Sequence, residues 1–204
     1  MKYYAYKLGH DYGFAPNPFF GICTLANCKS KIRLGANIGD WIIGTGSDKM
    51  GLKDHLIYIM EVSGKITFEE YWSSPQFAHK KPVYNGSLPR LHGDNIYFPN
   101  GDGTFGQIRS LHSYEDGSPH LGHMKRDLKG KYVLLSKNFW YFGTKSFPVP
   151  IEFLDACSNV RDTKLIKDQQ LAEQFIEWVT TKFAQGMHGF PINWREYQQL
   201  TLFN

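Results

Sequence analysis

Hydrophobic and polar positions alternate irregularly through the first three-quarters of the chain and settle into helical spacing only near the end. Residues 2–7, Lys-Tyr-Tyr-Ala-Tyr-Lys, are β-prone and predict an opening strand. Residues 9–21 hold too much Gly and Pro for either regular element and read as a loop. Over 24–36, Leu25, Cys28, Ile32 and Ala36 share a face at helical spacing, and Lys29 and Arg33 share another at i, i+4, which predicts a short helix. Gly39-Asp40 breaks that pattern before a buried strand over 41–44, and 55–62 is the strongest strand signal in the chain. Thr67 and Glu70 have capping-box spacing ahead of a short helix that ends at Trp72.

From 73 to 130 the text is loop-rich, with strand candidates only at 95–98 and 105–108. Residues 131–136 and 139–142 read as paired strands around Lys137-Asn138, and Pro148 and Pro150 mark a boundary. Asp168 then starts a helix whose Leu171, Phe175, Trp178, Val179 and Phe183 form one stripe, with Gly186 as its stop. A terminal helix is expected from Asn193 to Phe203. The pattern predicts an α+β fold in a single domain, residues 1–204: a strand-rich body over 1–147 and a helical tail over 148–204 packed on it.

Composition narrows the class. At 204 residues, 42% hydrophobic and 21% charged, the chain can bury an ordinary core. Aromatic residues reach 16%, which supplies rings for a core or for a surface where flat ligands stack. Cys23, Cys28 and Cys157 make an odd count without framework spacing, so reduced thiols in a cytoplasmic setting are expected. No leader pattern and no apolar run long enough to span a bilayer is visible, so no membrane partner is expected. Residues 1–150 carry 18 Lys/Arg against 12 Asp/Glu, a balance that permits a polyanionic partner.

Chemistry-bearing residues gather in three places. His10, Asp11, Tyr12, Phe14 and Asn17 lie in the first loop, and Lys29, Lys31 and Arg33 follow on the expected helix, whose N-terminus would favour phosphate. Asp94 and Asn95 follow Gly93, whose lack of a side chain permits close backbone approach, and an Asn amide can read a base edge. His112, His120 and His123 stand among Gly117, Pro119 and Gly122 and read as solvated loop side chains. Cys23 and Cys28 have no second ligand pair, so buried thiols are expected rather than zinc, with a nucleophilic Cys23 as the reactive alternative. No metal and no cofactor is expected. P-loop, GxGxxG, nucleophile-elbow and HExxH motifs are absent.

The element order through Trp72 resembles the opening of PUA-like barrels of the EVE, YTH and ASCH group, which implies a barrel-like body. A sharper resemblance rests on His10-Asp11-Tyr12-Gly13-Phe14-Ala15-Pro16-Asn17-Pro18-Phe19, Cys23-Thr24-Leu25-Ala26, Cys28-Lys29, Ile32-Arg33 and Gly39-Asp40-Trp41. It continues through Gly93-Asp94-Asn95-Ile96-Tyr97, Leu134-Leu135-Ser136 and Phe139-x-Tyr141-Phe142-Gly143. These stretches are similar to the bacterial and phage family called nucleotide modification associated domain 2, which implies a role around modified nucleotides without supplying a reaction.

Three readings follow. In the first, the chain binds a nucleotide or a base of nucleic acid, DNA favoured: Trp41, Trp72 or Trp140 would stack the base with Tyr12 and Phe14. Lys29, Lys31 and Arg33 would hold phosphate, and Asp94 and Asn95 would read the base. In the second it is an enzyme with His10 and Asp11 as an acid–base pair and Asn17 stabilising developing charge. In the third it docks protein partners of a modification or defence system.

Overall fold

A computed structural model describes residues 1–157 and 164–194, and the chain divides into two compact units. The first comprises residues 1–12, 36–63 and 136–204; the second, 13–35 and 64–135.

The first unit is built on a seven-stranded sheet. Tyr3–Leu8 pairs in parallel with Trp41–Gly46, which pairs antiparallel with His55–Glu61, itself antiparallel to Asn138–Tyr141. Short strands Lys164–Leu165, Phe147–Pro148 and Gly186–Met187 complete it. Apolar alternation explains the burial. Ala5, Ile43, Leu56 and Ile59 point into a core that also takes Phe142, Val149 and the Ala172, Phe175, Ile176 and Val179 face of helix Gln169–Lys182. Asp168 caps that helix as its sequence predicts, its carboxylate accepting from the Leu171 N–H at 2.9 Å. The helix ends at Lys182, before Gly186, because Phe183 turns extended and packs on Phe142 and Phe147. Gly44 faces Tyr58 so closely that a Cβ would strike the ring, and this lets the Tyr58 hydroxyl meet that of Tyr6 at 2.8 Å.

The second unit holds a three-stranded sheet of Cys23–Leu25, Tyr132–Ser136 and Gly64–Thr67, and a hairpin of Tyr97–Pro99 with Phe105–Gln107. Thr67 and Glu70 form the expected reciprocal capping box on helix Phe68–Ser73. Among the described residues no sheet closes on itself, so the expected barrel closure is not found; the fold is mixed α+β with several sheets and a helix toward the C-terminus.

Three other expectations are corrected. The helix over 24–36 is instead strand Cys23–Leu25 and helix Ser30–Gly35, because Cys28 (φ 57°) and Lys29 (φ 36°) adopt left-handed backbone that no α-helix accepts. Residues 132–136 and 138–141 do not pair with each other; they enter different sheets, and Lys137 lies between them. The loop-rich 73–130 stretch contains helix Leu121–Leu128, a 3-10 helix over Pro75–Lys80 and a single α-helical turn over Leu88–Leu91. The terminal helix expected from Asn193 falls outside the described residues beyond Trp194.

Asp11, buried in the first unit, fastens the chain ends of that unit. Its carboxylate accepts from the Tyr141 hydroxyl at 2.5 Å and the Ile192 N–H at 3.2 Å, and its backbone exchanges bonds with Asn193. Leaving a buried acceptor short of a donor costs about 1–3 kcal/mol. Tyr141→Phe is therefore expected to lower unfolding free energy by about that amount, read as a shift in urea midpoint with an unchanged slope.

Candidate functional site

Two polar networks are buried within the second unit, and neither follows the grouping that sequence spacing suggests. The first centres on Lys80. Its ammonium donates to the Asn17 carbonyl (2.9 Å), the Asn17 side-chain oxygen (2.6 Å) and the Ile22 carbonyl (2.7 Å). Asn17 and Thr24 exchange backbone bonds, closing the first loop into a β-bridge, and the Asn17 amide also donates to the His92 carbonyl. The Asp94 carboxylate accepts from the Tyr71 hydroxyl (2.7 Å) and the Thr24 hydroxyl (2.5 Å), while Asn95 donates to the Tyr71 carbonyl (2.8 Å). Gly93 does permit a close approach, and what approaches is the protein's own backbone over Lys80–Pro82. Burial lowers the Lys80 pKa to about 8, against the Asp94 charge, and raises that of Asp94. Cys23 is fully buried, and that burial pushes its thiol up to about 12. Asn17, Asp94 and Asn95 are thus held by the fold.

The second network reaches the surface. Asp127, on helix Leu121–Leu128, is buried, and its Oδ1 accepts the Cys28 N–H at 2.7 Å. Its Oδ2 accepts the Tyr97 hydroxyl at 2.8 Å and meets His112 Nδ1 at 2.7 Å. On the opposite side of the His112 ring, Nε2 lies 3.6 Å from Cys28 Sγ. Cys28 is exposed where the strand turns into the short helix. Beneath it Arg33 is fully buried, donating through Nε to the Cys28 carbonyl and Nη1 to the Tyr132 carbonyl, both at 2.8 Å, and through Nη2 to the Asp127 carbonyl at 2.5 Å. Gly130 makes room for the guanidinium, since a Cβ there would collide with it. Arg33 therefore anchors the turn and does not present its charge to a phosphate, which corrects the expectation of a shared cationic face with Lys29. That face also lacks its helix, because the observed one starts at Ser30 and spans six residues.

Imidazoles crowd this site. His123 lies 4.3 Å from His112 and 4.4 Å from His120, Phe14 packs edge-on to His112 at 4.8 Å, and Tyr114 stacks on His120 at 4.4 Å. His120 caps the helix by accepting from the His123 N–H. His112 is buried in a turn, His120 caps helix Leu121–Leu128 and His123 lies in its first turn, so the three rings pack together and are not separately solvated. Burial alone would lower the His112 pKa, but its bonds to Asp127 and Cys28 outweigh that and raise it to about 9. His123 goes the other way, lowered to about 4 by burial and by the charge of His112 and Arg126. Asp127 is pushed up by burial, yet the bond and charge of His112, with Arg33 and Tyr97, hold it below the ordinary carboxylate range. Asn27 Oδ1 and Gln107 Nε2 are buried in this unit without hydrogen-bond partners among the described residues.

The remaining expected residues divide between the units. In the first, His10 is exposed, 3.0 Å from Lys49 Nζ and stacked on Tyr12. The Asp11 carboxylate is engaged by the Tyr141 hydroxyl and the Ile192 N–H. Trp140 is buried with its N–H on the Phe183 carbonyl, and Trp41 packs against it and the core, so neither offers a free ring. In the second, Phe14 walls the His112 site and Trp72 is half-buried with Lys81 Nζ 3.8 Å over its ring. Lys29 is half-buried and Lys31 exposed on the turn after Cys28. Lys80 and Asp127 carry no signal in the sequence and His112 reads there as a solvated loop side chain, because 84 and 99 positions separate Cys28 from His112 and Asp127 and no short motif spans such gaps.

The donor atoms of Cys28, His112 and Asp127 lie within 4.8 Å of one another, close enough for a metal ion. Yet Asp127 and Cys28 face opposite nitrogens of the His112 ring, whereas a metal would take one nitrogen, and Asp127 already accepts from Cys28 and Tyr97. Asp127, His112 and Cys28 thus form one line of contacts through the two nitrogens of a single imidazole.

These features define a mixed α+β protein whose second unit brings Cys28, His112 and Asp127 together. Residues 1–198 match the family model described as nucleotide modification associated domain 2, and the chain belongs to that family. No curated protein and no solved structure matches it. No helix among the described residues is long and apolar enough to cross a membrane.

The opposed shifts fix the sign of pH dependence. His112, raised above its ordinary 6.5, contributes stability that is complete below pH 6.5 and lost as pH rises through about 9. Asp127, lowered, contributes above its ordinary 3.8 and loses it in acid. Between pH 6.5 and 9 the urea midpoint of the wild type is expected to fall more steeply than that of His112→Gln. Parallel slopes would refute the assigned pairing.

Proposed function

We propose that the chain binds a nucleotide or a nucleic-acid strand, DNA favoured, through the unit formed by residues 13–35 and 64–135. The supporting observation is the pairing of cations with rings on a unit of one sign. It carries 12 Lys/Arg against 7 Asp/Glu, whereas the rest of the chain carries 11 against 12. Lys81 lies 3.8 Å over Trp72, Arg109 3.9 Å over the exposed Tyr84, and Tyr114, exposed, is stacked on His120. Rings stack bases without regard to sequence, and neighbouring cations hold the phosphates between them. Of the residues expected to bind, Trp72, Lys29, Lys31 and Phe14 stay in this reading. The base pocket is placed beside Phe14 and the histidines, in place of Asp94, Asn95, Trp41 and Trp140.

A second reading is favoured by exposed Val83, Tyr84, Leu111, Tyr114 and Leu121, which would suit a protein partner of a modification system. Salt separates the two, since phosphate contacts weaken linearly in log salt and apolar docking does not. Kinship with PUA-like barrels rests on the element order through Trp72. We read the chain as one folding domain because each unit is assembled from segments that the other interrupts. The three unpaired thiols fit a reducing, cytoplasmic compartment.

Titration of tryptophan fluorescence with short single-stranded DNA at low salt is expected to saturate. Trp72→Ala should weaken binding by about 1–3 kcal/mol, and affinity should fall with added salt. A flat response to DNA, RNA and mononucleotides at low salt would eliminate the reading.

A further inference from the structure

We propose that Cys28, His112 and Asp127 form a thiol-dependent catalytic centre that transfers or hydrolyses an acyl group. The claim goes beyond binding, and it stands or falls independently of which polymer the protein holds.

Three observations carry it. The first is the order of contacts: sulfur to Nε2 at 3.6 Å and Nδ1 to carboxylate at 2.7 Å, on opposite nitrogens of one ring. A merely structural His–Asp pair has no need of a surface sulfur on the second nitrogen; a nucleophile, base and orienting acid require that sequence. The second is the mounting of the sulfur. Cys28 stands between a strand and a helix at φ 57°, a left-handed conformation unfavourable for a side-chain-bearing residue. It is held there by its own N–H on Asp127 Oδ1 and by Arg33 on its carbonyl. The same carboxylate thus fixes the backbone of the nucleophile and the tilt of the base. The third is an unfilled donor. Gln107 is the cross-strand partner of Tyr97, so both side chains leave the same face of the hairpin, and Tyr97 reaches Asp127. The Gln107 Nε2 is buried without a partner, whereas its Oε1 is occupied by the His120 N–H. Nε2 is thus an unfilled donor on the Tyr97 face of the hairpin.

The chemistry balances within the site and a water or amine. The Cys28 sulfur bonds to the acyl carbon while its proton resides on His112 Nε2, and the carbonyl π pair moves onto oxygen. That pair returns as the bond to the leaving group breaks, and the leaving group takes the proton from His112. The resulting thioester is attacked by water, or by an amine such as one on a nucleobase, whose proton passes to His112. Sulfur then departs and the proton is again shared between ring and sulfur.

The test uses the full chain and p-nitrophenyl acetate. A burst of about one p-nitrophenol per chain is expected, with a single acetyl mapped to Cys28 by peptide mass spectrometry, followed by slower steady release. Cys28→Ser should remove burst and label, and His112→Gln should slow acetylation by about a hundredfold or more. Because His112→Gln also cuts a buried bond, a wild-type measurement stands beside it. Iodoacetamide should alkylate Cys28 at pH 7 at least about tenfold faster than it alkylates glutathione. No acetyl on Cys28 together with alkylation no faster than glutathione would overturn the proposal. So would one equivalent of zinc accompanying the protein and lost in Cys28→Ser. Acetylation at Cys28 in a protein that ignores every oligonucleotide would keep the catalytic centre and discard the binding reading.

Discussion

A single buried carboxylate sets the geometry of the second unit. Asp127 receives donors from three separate places in the sequence: the Cys28 backbone, the Tyr97 hydroxyl and His112 Nδ1. An ionised carboxylate inside a protein is tolerated only when paired and hydrogen-bonded. Here the compensation is supplied by His112 and by Arg33, which itself is satisfied by three backbone carbonyls. The left-handed turn at Cys28, the helix that follows it and the helix bearing Asp127 are therefore fixed relative to one another by charge-assisted bonds, which are shorter and stronger than neutral ones.

The Lys80 network shows the contrasting use of buried polarity. Lys80 and Asp94 are fully enclosed, their neighbours supply every contact described above, and no ring or thiol of that network reaches solvent. It ties the Asn17 end of the first loop to Thr24 and Lys80, with Asn17 itself fully buried. The Asp127 network differs in one respect that matters for function: its chain of contacts ends on an exposed sulfur.

Local signals in the sequence were sufficient where local energetics decide the outcome. The Thr67 capping box, the Asp168 cap, the His55–Glu61 strand and the apolar stripe of the 169–182 helix all follow from spacing within a few residues. Spacing failed where a long-range partner overrides it. Leu25, Ile32 and Ala36 are buried as their helical periodicity implies, yet Asp127 and Arg33 hold Cys28 in left-handed backbone and break the helix between them. Lys137 looked like a hairpin tip because strands flank it, whereas each flank finds its partner in a different sheet. The family resemblance was legible over most of the first 143 residues and holds over 1–198. The site was not legible: Arg33 and Asp94 look like ligand-binding charges in one dimension, and only burial reveals that they face the protein. Asp127 carries no local signal and His112 reads as one of three solvated histidines, because both are joined to Cys28 only across long stretches of sequence.

The central claim is that Asp127 and Cys28 together hold His112 as a charged imidazole beside an uncharged His123. Side-chain nitrogen NMR on uniformly labelled protein reads both rings directly. The account predicts His112 doubly protonated at pH 7 and titrating near 9, with His123 neutral until about pH 4. Two rings that titrate together near 6.5 would contradict it.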